Sequence, residues 1–320
     1  MHKRKKVFIT GISGMIGFHT AKALCKLDWD VTGLDNFNNF YDVQLKRDRA
    51  KILKEEFGIS VIDKDILDID LNEISQLKEC DVLLHLAAYV APRHSLDFPE
   101  NYIETNISGT SNLLKTIEKY NIPTVYASTS CVMHGQKLPW KESDLPSHQN
   151  NPYGWSKRVN ECQFMHSKIE RSIGLRFFTA YGPYGRPDMA IFKFTKNILS
   201  GEPVDLYNKG EMFRDFTFVE DIVQGVEIIL KKIVIDDARY HEIYNIGYGE
   251  KINLMDLLKE IEKNLGINAK TRMLPKHPAD VPATWSDTQK IRKLGYYPKT
   301  NIKHGIREFI KWYKHYYKIN

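Results

Sequence analysis

Short apolar runs rich in β-branched residues alternate with stretches of helical spacing through the first half of the chain. KVFIT (6–10) predicts a buried strand, and the spacing from Met15 to Leu27 predicts a helix. DVTGLD (30–35), ISVIDKD (59–65), DVLLHLAA (81–88), TVYAST (124–129) and GLRFFT (174–179) predict further strands. Helical spacing runs from Pro99 to Tyr120, and another helix opens in NPYGWSK (151–157). Strands that alternate with helices imply an α/β fold, a parallel sheet covered on both faces.

The second half has a different texture. GPYGRPDM (182–189) is loop-like, DFTFVEDIVQGVEIILKK (215–232) predicts a strand end and then a helix, and EIYNIG (242–247) predicts one more strand. The stretch 271–287 holds three prolines and no clean period, which suits a linker or a functional loop. In 302–317, Ile302, Ile306, Phe309, Ile310, Tyr313 and Tyr317 share one helical face, as a packing helix requires. The long loops lie mostly C-terminal, so substrate recognition is expected there.

Composition changes this picture little. The 320 residues are 42% hydrophobic, enough for a sizeable core without disulfide support. Cys25, Cys80, Cys131 and Cys162 are scattered, with no CxxC pair, which argues against a zinc site and fits a reducing, cytoplasmic compartment. The net charge of +6 is modest for this length and is concentrated in HKRKK at the start and in the last thirty residues, so a solvated surface is expected and no nucleic-acid partner. VLLHLAAYVA, the longest apolar stretch, is interrupted by His85 and cannot span a bilayer, and nothing at the start resembles a signal peptide.

The chemistry begins in VFITGISGMIG. Gly11, Gly14 and Gly17 form a GxxGxxG directly after a strand and at the opening of a helix. In that context the first glycine makes the tight turn, the second lets backbone approach a pyrophosphate, and the third lets helix pack on strand. This is the opening of a Rossmann-type doubly wound sheet. Asp35 ends the second strand, where a carboxylate meets ribose hydroxyls and would repel a 2′-phosphate, so NAD is expected over NADP. Asp65 and the Ala87–Ala88 pair fall where an adenine contact and a close backbone approach are expected. Met15, Ile16, Ile66, Leu86 and Ser128 complete the expected cofactor set.

NPYGWSK places Tyr153 one helical turn before Lys157, and Thr129 ends a predicted strand twenty-four residues earlier. The carboxyl edge of an open α/β sheet is where ligands bind. A hydroxyl, a phenol and an ammonium beside a nicotinamide form a proton-handling group. A phenol working near pH 7 must sit about three units below its ordinary value, roughly 4 kcal/mol. One positive charge about 4 Å away supplies about that much at an effective dielectric near 20. Lys157 and a positive nicotinamide ring are expected to supply it together.

This arrangement resembles the extended short-chain dehydrogenase/reductase superfamily. LRFFTAYGPYGRPDMAIFKFTKNILSGEPVDLYNKGEMFRDFTFVEDIVQGV, DNFNNFYDVQLKRDR and PADVPATWSDT narrow the resemblance to nucleotide-sugar epimerases, most closely the UDP-glucuronate 4-epimerases. The resemblance implies retained NAD, a UDP-sugar substrate and a 4-keto intermediate. It implies Tyr153 as base, Lys157 and Thr129 beside it, Arg214 and Arg186 on the diphosphate, Tyr207 against the uridine, and Asp280 in a loop that closes over the nucleotide. It implies Thr129, Ser130 and Thr179 around the sugar carboxylate. It also implies a homodimer through the helices that start at Pro99 and Tyr153, in which Ile103, Ile107, Leu113, Leu114 and Ile117 do not all fit one buried stripe. The expected layout is a Rossmann domain over 1–181 that also receives about 214–248, and a smaller, mostly C-terminal α/β part built from 182–213 and 249–320 that binds the UDP-sugar.

The chain departs from the family beside the sugar. The family's SSSSVYG reads STSCVMHG, with Cys131 at a serine position, Met133 for the tyrosine and His134 inserted. AAYVAPRHS stands for a shorter loop around an arginine, a place Arg93 can take. A 4,6-dehydratase would carry an Asp–Glu pair after the threonine, where this chain has Ser130–Cys131; a decarboxylase would carry glutamate at the position of Cys131. Epimerases of UDP-glucose or UDP-N-acetylglucosamine, a decarboxylase and a silent NAD-binding scaffold are the remaining alternatives.

Overall fold

The computed structural model describes residues 4–67, 70, 73–145 and 148–319; His2 and Lys3 of the basic start lie outside these. Seven parallel strands form the central sheet, in the order Tyr240–Ile246, Arg171–Phe177, Thr124–Thr129, Val82–His85, Lys6–Thr10, Asp30–Asp35, Ile62–Asp63. Side chains alternate across it as strand geometry demands. Val7, Ile9, Val82 and Leu84 point into one core with Phe18, Ile222 and Val226, and Phe8 and Leu83 point into another with Leu113, Ile117 and Phe164. The two faces are therefore covered by different helices, Met15–Lys26 and Val219–Ile235 on one and Thr110–Tyr120 and Pro152–Met165 on the other. The doubly wound reading of the sequence holds.

Several elements differ in extent. The strand expected at 81–88 ends at His85, because Leu86–Ala88 turn away over the glycine loop, where the Ala87 amide donates to Thr10 Oγ1 at 3.2 Å. The strand expected at 59–65 is reduced to Ile62–Asp63. The strand expected at 174–179 stops at Phe177, and Thr179–Tyr181 pairs instead with Phe216–Phe218. The helix expected from Pro99 to Tyr120 contains a π-helical stretch, Ile103–Gly109. Its cause is visible in the helix packed against it. Asn160 Nδ2 donates to the Asn106 carbonyl at 2.6 Å and Gln163 Nε2 to the Ile107 carbonyl at 3.2 Å, so outside donors satisfy carbonyls of the widened turn.

A further core lies beyond Tyr181. Phe192, Phe194 and Ile198 of one helix pack with Leu257, Leu258 and Ile261 of another and with Ile306, Phe309, Ile310 and Tyr313 of the last, Ile302–Tyr316. The last helix is thus a packing helix, as its apolar stripe predicts. The proline-rich stretch 271–287 is no linker. It opens with a strand, Thr271–Leu274, paired to Val204–Tyr207. It then runs past Phe213, whose amide donates to the Pro282 carbonyl at 2.9 Å, and past Trp140, whose amide donates to the Trp285 carbonyl at 2.8 Å.

The glycine loop sits where the first strand meets its helix. A Cβ on Gly17 would run into the Gly11 carbonyl oxygen and lie 2.9 Å from Ile12 Cα. Gly11 has φ 72° and lies so close to the turn that follows Val82–His85 that a Cβ there would stand 2.8 Å from the Ala87 nitrogen. Gly17→Ala is expected to destabilise the protein by about 1–3 kcal/mol, since backbone rather than a flexible side chain must yield. Urea unfolding with a fluorescence readout checks this; an unchanged midpoint would contradict it.

Candidate active site

One cavity of about 820 Å³ opens along the carboxyl edge of the sheet and continues between the two cores. That volume is the usual size for a cofactor or small-molecule site. Every residue singled out from the sequence lines it. Gly11, Gly14, Met15, Ile16, Gly17, Asp35, Asp65, Ile66, Leu86, Ala87, Ala88 and Ser128 lie along one arm; Thr129, Ser130, Cys131, Tyr153, Lys157, Thr179 and Arg186 lie at the centre; and Arg93, Tyr207, Arg214 and Asp280 lie along the other arm.

The first arm fits a dinucleotide. Asp35 is buried and both its oxygens are engaged, Oδ2 by the Ser13 amide at 3.0 Å and Oδ1 by the Phe37 amide at 2.9 Å. Burial raises its pKa, and these amides with Lys46 and Arg49 oppose the rise. Gly11, Gly14 and Gly17 all border the cavity at the helix start, and none of the three carries a side chain. That is the cradle a pyrophosphate needs. Asp65 accepts from Asn36 Nδ2 at 2.5 Å. The Ser128 hydroxyl is committed elsewhere, donating to Glu161 at 2.7 Å, so what this residue offers the cavity is backbone.

At the centre, Asn151 caps the helix Pro152–Met165 by accepting from the Gly154 amide at 2.8 Å, with Pro152 in the first turn. This fixes where Tyr153 and Lys157 emerge. The phenol of Tyr153 lies beside the Thr129 side chain, and Thr129 Oγ1 accepts from the Cys131 amide at 3.2 Å. Threonine and phenol therefore meet, as the spacing suggested.

The electrostatics of the two groups are set by burial. Burial drives the Tyr153 pKa well above that of a free phenol, and Cys131 adds to the rise. The opposing groups are Thr129 and Arg186, not Lys157. Burial likewise brings Lys157 down to about 7, with Glu161 opposing. Both groups are out of water, so each disfavours its own charged form.

Beneath them lies a buried ion-pair cluster that no sequence motif announced. Glu161, one turn beyond Lys157 on the same helix and fully buried, accepts from Arg176 Nε at 2.8 Å, Arg176 Nη2 at 3.0 Å, Arg158 at 2.8 Å and Ser128 at 2.7 Å. Burial would raise its pKa, but the Arg176 bonds outweigh burial and hold it below the ordinary value.

In the other arm Arg93 reaches across to Asp280, with Nη2 to Oδ2 at 2.7 Å and Nε to Oδ1 at 3.3 Å, and its guanidinium lies 3.7 Å from the centre of the Tyr207 ring. The three residues thus form one unit. Arg214 is half-buried, and its desolvation lowers its pKa, while Asp280 and Cys131 oppose. Arg186, at the centre, is paired with Asp188 at 2.5 Å. Burial alone would lower its pKa, and Asp188 turns the shift upward. Burial raises the Cys131 thiol, so it is a neutral group and not a reactive thiolate.

Sequence reading passed over Lys46 and Asp188, which line the cavity, and Asn106, which braces a loop that does. Lys46, buried, donates to the Asn38 carbonyl at 2.6 Å and side chain at 2.7 Å; burial lowers it to about 8, with Asp35 opposing. Asn106 clamps the loop after the fourth strand, exchanging bonds with Tyr89 at 2.8 and 3.1 Å. Asp188 stands two residues beyond Arg186, and that spacing is the signal that could have found it. His134 lines the cavity with its ring edge-on to His148 at 5.1 Å. Among the described residues, no helix is long and apolar enough to cross a membrane.

Comparison with known proteins decides the family. The profile of the NAD dependent epimerase/dehydratase family matches residues 7–247. The chain belongs to this family. It is 36% identical to UDP-glucuronate 4-epimerase 1 of Arabidopsis thaliana, over 98% of this chain and 78% of that one. It is 37% identical to protein CapI of Staphylococcus aureus, over 98% of this chain and 99% of that one. Its fold matches the crystal structure of UDP-glucuronic acid 4-epimerase from Bacillus cereus in complex with UDP-glucuronic acid and NAD, with a TM-score of 0.91, 31% identity and coverage of 98% of this chain and 100% of that one. The chain is an NAD-dependent enzyme of the epimerase type.

Glu161→Ala would leave Arg176 buried without its carboxylate, and a loss of about 3–5 kcal/mol is expected, read by chemical denaturation. The pH dependence has a definite sign. The folded pKa of Glu161 lies below its ordinary value of 4.5, so its contribution is complete above that value and is lost as pH falls through the depressed folded value. The variant should therefore show less acid destabilisation than the unvaried protein below that pH; equal acid sensitivity in the two would contradict the assignment.

Proposed function

We propose that this chain interconverts UDP-glucuronate and UDP-galacturonate by epimerisation at C4, with residues 1–181 and about 214–248 holding NAD and residues 182–213 and 249–320 holding most of the UDP-sugar. The observation that carries the reading is the approach of the Tyr153 phenol to the Thr129 side chain, with Arg186 nearby, at the centre of a cavity that has a dinucleotide cradle on one side and Arg93 and Arg214 on the other. The relatives named for the same reaction support it.

NAD, when bound, accepts a hydride from the sugar carbon, returns it later and brings a positive charge. The chain's residues handle the proton. Tyr153 takes it from the 4-hydroxyl oxygen as that oxygen becomes a ketone, and gives it back when the ketone is reduced on its other face. Thr129 Oγ1 already accepts from the Cys131 amide, so its own proton is free for the phenolate or the sugar oxygen. The arginines suit the diphosphate, since guanidinium matches it in a bidentate way.

A 4-keto uronate is a β-keto acid and loses carbon dioxide when its carboxyl bond aligns with the ketone π system. An epimerase must hold that bond near the carbonyl plane. Thr129, Ser130 and Thr179 line the centre with hydroxyl groups. Cys131, kept neutral by burial, adds no charge to repel a carboxylate. This favours epimerisation over decarboxylation. The test is proton NMR of the purified protein with UDP-glucuronate, UDP-glucose and UDP-N-acetylglucosamine. UDP-galacturonate with little UDP-pentose is expected, and Tyr153→Phe should abolish turnover while NAD remains bound. Mainly UDP-xylose, turnover of the neutral sugars alone, or substantial activity in the variant would each contradict the reading.

We also propose a homodimer. Ile103 and Met165, on the helices expected to meet a second copy, are 44% and 47% exposed, and Phe98 just before them is 48% exposed. Light scattering at micromolar concentration should give twice the chain mass of 37.2 kDa; a monomer mass would refute it.

A further inference from the structure

Asp215 follows Arg214 in the chain, is fully buried, and takes no part in the chemistry above. Its carboxylate gathers donors from separate segments. Oδ1 accepts from the Tyr248 amide at 2.9 Å and from Thr217 Oγ1 at 3.4 Å. Oδ2 accepts from the Gly249 amide at 3.1 Å, the Ser286 amide at 3.0 Å and Ser286 Oγ at 2.5 Å. Its backbone is equally committed. The amide donates to Thr284 Oγ1 at 3.2 Å, and the carbonyl accepts from the Thr179 amide at 3.0 Å. The packing leaves no slack, because a Cβ on Gly247 would stand 3.1 Å from Oδ2 and collide with Ser286 Oγ. Thr179 faces the centre of the cavity, Arg214 faces its second arm, and the segment that ends at Ser286 brings Asp280 over that arm.

We propose that Asp215 is a positioning residue for the nucleotide end of the substrate: its carboxylate fastens the proline-rich segment to the strand that carries Arg214, and so sets Arg214 and Asp280 against the same ligand. The inference rests on the UDP-sugar reading of that arm. A carboxylate suits the task because it accepts at both oxygens, whereas an asparagine would turn an NH2 group toward donors that already fill one side. Nothing in the first arm depends on these bonds, so loss of the fastening should leave the NAD cradle intact.

The experiment measures UDP binding by calorimetry, with NAD content and thermal unfolding measured on the same samples, for the unvaried protein, Asp215→Asn and Ser286→Ala. Asp215→Asn is expected to raise the dissociation constant for UDP about tenfold or more, because buried donors lose their acceptor. NAD content should stay unchanged. Ser286→Ala removes one hydroxyl donor and should weaken UDP about two- to fivefold. Should Asp215→Asn fail to fold, Ser286→Ala decides alone. UDP affinity within error of the unvaried protein, in folded variants with lowered melting temperature, would show a purely structural role and overturn the proposal. Failure of the unvaried protein to bind UDP would instead overturn the reading of the substrate on which the proposal rests, and a parallel loss of NAD would show that the effect is not confined to the nucleotide end of the substrate.

Discussion

The carboxylate of Glu161 joins three elements that must agree for the centre of the cavity to exist. It belongs to the helix that carries Tyr153 and Lys157, it binds Ser128 at the end of the strand that carries Thr129, and it binds Arg176 on the next strand of the sheet. Without such a tie, the helix could slide or rotate on the apolar face of the sheet at small cost, since hydrophobic contact is not directional. A charge with several fixed donors is directional, and it is costly to break where no water reaches. The approach of the phenol to the threonine, and with it any proton transfer, depends on that register.

The burial that gives this precision also sets a condition on the chemistry. A phenol and an ammonium removed from water are both displaced toward neutrality, Tyr153 upward and Lys157 down to about 7. Proton removal by Tyr153 therefore calls for positive charge close by. Arg93 with Asp280 and Arg186 with Asp188 hold guanidinium groups aimed within the cavity.

Much of this was legible in the chain. Short apolar runs such as KVFIT and VLLH named the sheet strands, and glycines placed between strand and helix named the cofactor arm. The spacing of Tyr153 and Lys157 named the centre. What escaped has a physical reason in each case. Glu161 and Arg176 look like ordinary surface charges until tertiary structure pairs them. Strand ends such as His85 and Phe177 are set by which neighbour takes the next amide, and a linear pattern does not carry that choice. The proline-rich stretch has no period because it is held by backbone bonds to Phe213 and Trp140 and by a side chain, Asp215, far away in sequence.

The π-helical stretch Ile103–Gly109 behaves as a phase shift in the helical wheel. A wider turn takes up about one extra residue before the helix continues, so the residues on either side of it are referred to faces about 100° apart. Asn106, which clamps the loop at Tyr89, and Leu113, which fills the core, are each correctly aimed only because the shift falls between the start of the helix and its end. A chain one residue shorter here would form a regular α-helix and could aim one of the two but not both. Chain length in this stretch is therefore constrained even where the identity of its exposed side chains is not.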